Sequence, residues 1–357
     1  MNRFYRFVLS ILILLYLFLA QNIILLAQDK DSLFSEEPLP FSADFFDNEN
    51  PLELKLTFNI KEFEINKDSE KYQPATIAFL MDDSIEIVKE IKIKPRGNVR
   101  KKHCYFPPYT LNFKKSDVSD ELPSDINKIK VVSHCFKTSE YTSILLKEYL
   151  IYKLFNIITD YSFKTRLAQV TYIDTGRKNK TDTEWAFLVE PEEMLAERIC
   201  ALPIEQNNLS HSHLDSLQST IMVLFQYMIG NTDFSLAGRH NLKLIKLKDY
   251  RYPLLIPIPY DFDYSGLVDA HYSVPTKALP ITRVTERYYN GVCRGDSLYK
   301  VVINHFLDKE QEIINYIDSF DLLDKKSKKW VSFYIKDFYK EIRSPNFIKR
   351  KIRNTCF

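Results

Sequence analysis

From Leu52 the chain alternates apolar and polar residues as Leu-Glu-Leu-Lys-Leu-Thr-Phe-Asn-Ile. A period of two puts every second side chain on one face, the pattern of a strand with one face buried. Short β-rich runs continue over residues 75–81, 85–93, 109–113 and 129–132, so this part is expected to form a mostly antiparallel sheet. The pattern then changes. Residues 144–158 are apolar nearly all round, with Lys147, Glu148, Lys153 and Asn156 as exceptions, which predicts a helix buried against more than one neighbour. Residues 166–174 and 184–190 predict a hairpin around Thr175-Gly176-Arg177. Pro191 suits the first turn of a helix over 192–199. A second long helix over 214–228 closes at Gly230. Helical patterns return over 297–306, 310–317 and 330–342. The expected class is α+β and two-lobed: a β-rich N-terminal lobe over 52–190 with one buried helix, then a mostly helical C-terminal lobe over 191–357. The cleft between them is the expected ligand site. Only seven glycines in 357 residues argue against a solenoid of tight turns or a glycine-rich nucleotide loop.

Arg3 and Arg6 precede apolar residues 7–20 and 23–26, and Ala27-Gln28-Asp29 follows. A basic start and an apolar core predict an export signal over 1–27, with an uncleaved membrane anchor as the alternative. Residues 28–51 are polar and acidic and read as a spacer. Either way the folded part is expected outside the cytoplasm, periplasmic, in the cell envelope or secreted. Membrane contact is expected only through the N-terminal segment, if that stays uncleaved. The 49 basic and 47 acidic side chains nearly balance, so nothing points to nucleic acid as a partner. Five cysteines fit no zinc spacing. Cys104 and Cys135 are a candidate pair in an oxidising compartment. Cys200, Cys293 and Cys356 read as buried thiols, Cys356 alternatively as part of a frayed tail. The odd count leaves at least one cysteine unpaired or bonded to another chain.

The chemistry-bearing order lies in residues 229–266. Asp233 and Asn241 share one loop, a short strand follows, and Asp261-Phe262-Asp263 ends a second strand before Gly266. Phosphotransferases of the kinase type need such groups in this order. One Asp aligns or deprotonates the acceptor hydroxyl, and an Asn and a further Asp hold the metal ions that neutralise the phosphates.

Several segments together resemble the spore-coat CotH kinase family, a divergent branch of the protein-kinase-like fold. They are Arg96-Gly97-Asn98 with its basic residues, the strand before Lys114-Lys115, the Leu-Leu-rich helix around Glu148, the strand ending in Glu190, the Asn/Asp loop and the Asp-Phe-Asp strand end. The resemblance touches about 170 residues, from Arg96 to Gly266. It implies a two-lobed protein-kinase-like fold, ATP with Mg²⁺ or Mn²⁺, and transfer to a protein or glycan hydroxyl. Asp233 would be catalytic. Arg96, Lys114, Glu148 and Glu190 would serve the nucleotide, Glu148 by pairing with a lysine. Asn241, Asp261 and Asp263 would hold metal. Asp233 and Asn241 stand eight apart, against five in ordinary kinases, which sets this loop aside from the standard one. The rival reading is a catalytically silent domain acting as a binding or scaffold protein of the cell envelope. A carbohydrate-binding module is discounted because the aromatic residues are spread over core-like positions.

Overall fold

The computed structural model describes residues 44–69, 71–80, 86–114, 117, 127–206 and 209–357. The expected export signal and residues 28–43 of the spacer lie outside them. Among the described residues no helix is long and apolar enough to cross a membrane.

Strands β1 (Leu52–Phe58), β2 (Gln73–Leu80), β3 (Glu86–Pro95), β4 (Tyr109–Asn112) and β5 (Lys128–Val132) pair antiparallel in chain order. Strands β6 (Thr165–Asp174) and β7 (Lys180–Val189) form the predicted hairpin, and β7 joins β5. The closing pair is parallel. Leu52 lies against Ala168 and Phe58 against Asp174, so β1 and β6 complete a seven-stranded barrel in the order β1-β2-β3-β4-β5-β7-β6. The alternating residues of β1 put Leu52, Leu54, Leu56 and Phe58 into the barrel core with Phe79, Ile93, Leu111 and Val170. Two short helices, α1 (Ile60–Ile65) and α2 (Val99–His103), lie at the same barrel end as the ends of β1 and β3. Phe45 and Phe46, from the spacer as read, are buried against this barrel, and Arg166 lies 4.5 Å from the Phe45 ring centroid.

Helix α3 (Ser139–Ile158) begins at Thr138, whose hydroxyl accepts from the Tyr141 amide. Helix α4 (Glu192–Arg198) leads to strand β8 (Ala201–Ile204). Helix α5 (Ser216–Ile229) starts at Asp215, whose carboxylate accepts from the Gln218 amide at 2.8 Å. Strands β9 (Leu242–Leu247) and β10 (Ile256–Pro259) complete a three-stranded sheet, β10-β9-β8. Helices α6 (Asp296–Asp308), α7 (Glu310–Ser319) and α8 (Lys325–Ile342) follow. The polar caps satisfy amides that the first helical turn leaves without partners.

This architecture corrects the two-lobed, protein-kinase-like expectation. The β-rich half is a closed barrel with its own core, and the whole is mixed α/β. Helix α3, assigned from sequence to the N-terminal lobe, shares one continuous core with α5, α6, α7, α8, β9 and β10. Its all-round apolar surface demands that: one sheet face cannot cover Leu145, Leu146, Leu150 and Ile151 together. The second part also carries a sheet of its own, whose strand β8 the sequence patterns did not reveal.

Two disulfides join distant segments. Cys104 and Cys135 link the end of α2 to the chain after β5. Cys293 pairs with Cys356, which corrects the expectation of buried thiols or a frayed tail there. The Phe357 amide also donates to the Gly291 carbonyl at 3.1 Å. Cys200 is the free cysteine, and it is exposed.

Candidate functional site

The barrel end where β3 and β5 finish and β4 begins faces two loops of the second part. Between them runs a groove of about 430 Å³, lined among others by Arg96, Arg100, Asp233, His240, Asn241, Asp261 and Asp263. One loop follows α5 and the other follows β10. Gly230 ends α5 with φ 66° and accepts at its carbonyl from the Gly266 amide at 3.0 Å. The Tyr334 hydroxyl lies beneath both. A Cβ on Gly230 would come within 2.1 Å of it and a Cβ on Gly266 within 2.6 Å, so only glycine fits either position. This seam brings the Asp233 loop and the Asp-Phe-Asp turn side by side.

Three non-glycine residues along the groove have left-handed backbones: Arg239 (φ 47°), Asn241 (φ 53°) and Asp261 (φ 64°). Such conformations cost free energy and persist where the surrounding contacts impose them. The Asp261 amide donates to the Tyr152 hydroxyl of α3 at 2.9 Å, which fixes this turn to the core. Among the described residues the Asp261 carboxylate has no hydrogen bond or ion pair. Burial first, then the charge of Asp263, pushes its pKa up to about 6, against Arg100 and Arg96.

Asp263 is held differently. Its Oδ2 accepts from Arg100 Nε at 2.8 Å and from the Tyr272 hydroxyl at 3.0 Å. Arg100 Nη2 also donates to Glu148 Oε2 at 2.5 Å, so one buried guanidinium joins α2, α3 and the turn after β10. Burial opposes the Arg100 charge, yet Asp263 and Glu148 drive its pKa well above the ordinary value. Burial raises the Glu148 pKa, the Arg100 charge works against that rise, and Glu148 Oε1 has no partner. Asp233 takes His240 Nε2 at 2.9 Å on one oxygen and Asn241 Nδ2 at 3.0 Å on the other. Asn241 Nδ2 also donates to the Asp233 carbonyl at 2.8 Å.

Asp233, Asn241, Asp261, Asp263, Glu148 and Arg96 are thus brought together. Lys114 and Glu190 are not. Lys114 projects from the outer barrel surface and pairs with Glu90 at 2.9 Å, with both side chains more than half exposed. It lines a separate cleft of about 660 Å³ along the strands. Glu190 is buried against Arg198, whose Nε and Nη2 each donate at 2.9 Å, and it accepts from the Lys164 amide. That pairing ties β7 to α4 beside another cleft, of about 730 Å³, which Lys164 and Arg198 line. Neither of these larger clefts gathers carboxylates and cations as the groove does.

Sequence reasoning missed Arg100, hidden in the basic run 94–102, and it assigned Glu148 a lysine partner where Arg100 stands. It also missed Lys130. That residue is exposed overall, but its ammonium lies over the Tyr260 ring, 5.6 Å from the centroid. Burial of the ammonium there, with Arg96 and Lys243 close by, pushes its pKa down to about 8. Lys243 is paired with Glu192 at 2.5 Å, whereas Arg96 and Lys130 have no side-chain hydrogen bond or ion pair among the described residues. The alternation along β5, with Ile129 and Val131 inward, was the available signal that Lys130 faces outward to this rim.

Neither the scan of protein-family models nor the search of curated proteins matches this chain.

The donor set suits a hard divalent cation: two carboxylates, Asp261 and Asp263, and the Asn241 amide oxygen, which has no protein donor among the described residues. Among those residues no three His, Cys, Asp or Glu side chains form a cluster able to hold a metal by themselves. Mg²⁺ usually keeps waters and takes one or two carboxylates together with substrate phosphates, so a site of this kind falls within its habits.

Proposed function

We propose that the groove binds a nucleoside triphosphate with Mg²⁺ or Mn²⁺ and transfers phosphate to a hydroxyl of a protein or glycan. One observation carries the reading. The unpaired carboxylate of Asp261 and the unpaired cation of Arg96 line one groove with Asp233, Asn241 and Asp263. Phosphate recognition needs fixed positive charge beside metal-ligating oxygens. The reading rests on this groove and on the order of the CotH-like motifs, not on a kinase fold.

In it Arg96 and Lys130 take the phosphates, and Arg100 fixes the position of Asp263. Asp261, Asp263 and Asn241 hold the cation, which neutralises charge on the transferring group. Asp233, braced by His240 and Asn241, orients the acceptor hydroxyl. The two disulfides accord with an oxidising, extracytoplasmic setting, as the N-terminal segment implies.

The scaffold reading has an observation of its own. Arg100 already occupies one oxygen of Asp263 and one of Glu148, leaving fewer free oxygens than an active metal centre ordinarily offers.

Thermal-shift titration with ATP and Mn²⁺, followed by phosphoryl transfer from labelled ATP, separates the two. The wild type should be stabilised only when both are present. Asp261→Ala should fold, lose that stabilisation, and lose about 100- to 1,000-fold in transfer rate. A wild type indifferent to ATP with Mn²⁺ would leave the scaffold reading.

A further inference from the structure

A second cavity opens at the same barrel end and shares no lining residue with the groove. Its inner wall is His134, Phe106 and Tyr172, each about 2% exposed, with Glu64 and Asp174. Tyr105, Lys137, Arg177 and Asp182 stand around its mouth. Three side-chain atoms on this wall are buried without a partner: Nδ1 and Nε2 of His134, and Oε1 of Glu64. Buried polar atoms are ordinarily satisfied, because desolvation without a replacement bond is costly. Three orphans lining one cavity point to something that enters it.

The chemistry of the wall narrows what that is. His134 is stacked on Phe106, with ring centroids 5.0 Å apart and planes at 12°. Burial, then Lys137, pushes its pKa down to about 4, so at neutral pH the ring is uncharged. A neutral imidazole offers one donor and one acceptor whichever tautomer it adopts. The charges nearby are already matched: Lys137 pairs with Asp182, Arg177 lies 3.9 Å from Glu64 and 3.6 Å from Asp174, and the Glu64 carboxylate also takes the Tyr105 hydroxyl, so that its Oε1 alone is without a partner. Asp174 Oδ1 is committed to the Ile60 and Gly176 amides. A charged ligand would shed its hydration for no uncompensated partner.

A hydroxyl fits, since it donates and accepts at once. The cavity is about 50 Å³, where a single water needs roughly 10–15 Å³ of such space, so it takes a group of a few heavy atoms such as hydroxymethyl. The rings of Phe106 and Tyr172 face the carbon, and Tyr105, 43% exposed at the mouth, offers a surface for the rest of the molecule. We propose that this cavity binds the hydroxymethyl end of a neutral sugar or polyol, held by His134 and Glu64. The site is independent of the phosphotransferase reading.

The test is a titration of the protein with D-glucose and with D-xylose, whose pyranose ring lacks the hydroxymethyl group. The imidazole ¹H–¹⁵N resonances of His134 should shift saturably with glucose and at least tenfold more weakly with xylose. His134→Phe fills the wall with an apolar ring and should abolish the glucose-induced rise in melting temperature. Tyr105→Phe keeps the ring at the mouth and leaves His134 and Phe106 in place, and Tyr105→Ala removes the ring as well; only the second should weaken glucose binding several-fold, which keeps the question open to decision if His134→Phe does not fold. The absence of a saturable shift with glucose would mean that ordered waters satisfy these atoms, and would overturn the proposal. So would equal responses to both sugars, or a thermal shift that survives in His134→Phe.

Discussion

Replacing Asp261 by Asn removes one charge from the groove and keeps the side chain's shape. Burial and Asp263 raise this carboxyl from 3.8 to about 6 in the folded protein. A carboxyl whose native pKa exceeds its unfolded value holds its proton more tightly when folded. The stability it contributes is therefore complete below pH 3.8 and is lost as pH rises through 6. At pH 8 the native state carries a charge that burial and Asp263 disfavour. Two pKa units correspond to about 3 kcal/mol. Asp261→Asn never carries that charge, so it should be more stable than wild type by about 3 kcal/mol at pH 8. For about 300 folded residues that is a rise of roughly 5 °C in melting temperature. The gap should narrow steadily from pH 6 to pH 4. Calorimetric melts of both proteins across pH 4 to 8 measure it. A gap independent of pH, or an Asn variant less stable at pH 8, would refute the account of Asp261 as an unpaired carboxylate held against its surroundings. With ATP and Mn²⁺ added the order should reverse, because only the wild type gains stability by mass action.

Arg100→Met leaves Glu148 and Asp263 buried without their cation and should cost about 3–5 kcal/mol in urea unfolding. Combining it with Glu148→Gln and Asp263→Asn should recover part of that loss, and a cost below about 1 kcal/mol for the single change would contradict the buried bridge. Lys114→Ala breaks a solvent-exposed pair and should change stability by less than about 1 kcal/mol, with no effect on the ATP-dependent thermal shift. Arg96→Ala and Lys130→Ala should each reduce that shift, and equal behaviour of all three variants would remove the proposed phosphate role. Replacing Cys293 and Cys356 by Ser should cost about 2–5 kcal/mol, seen as a lower melting temperature without reductant; an unchanged melt would show that the contacts of Phe357 hold the segment alone.

What could be read from sequence was local. The strands β1 to β5 announce themselves because alternation is a property of neighbouring residues, and the hairpin of β6 and β7 because its turn lies between them. Asp233, Asn241 and Asp261 were legible because they stand on consecutive loops joined by short strands. The parallel pairing of β1 with β6 has no local signature, since each strand looks the same whether its neighbour is near or far in sequence. Hence the barrel was read as a mostly antiparallel sheet within a lobe. Arg100 was lost among like charges. Five basic residues from Lys94 to Lys102 read as a solvated loop, and only the packing of α2 against Glu148 and Asp263 selects one of them for burial. Lys114 misled for the opposite reason. Its position allowed either face, and Phe113 takes the core side, which leaves Lys114 outward against Glu90. The C-terminal cysteine looked idle because its partner lies in a glycine-bounded stretch without periodic pattern.

The parallel seam between β1 and β6 also sets an order of events. As the chain emerges from its N-terminus, β1 can pair with β2 at once, but its other edge stays open until β6 is available. Helix α3 and every strand from β3 to β5 come between, so closure depends on contacts far apart in sequence, the slow kind in folding. During that interval one alternating, apolar-faced edge is free to pair with another molecule. A chain carried across a membrane unfolded would meet the same delay on the far side. Yield should therefore depend steeply on chain concentration during refolding, and a change that slows docking of α3 should raise aggregation without changing the stability of the finished barrel.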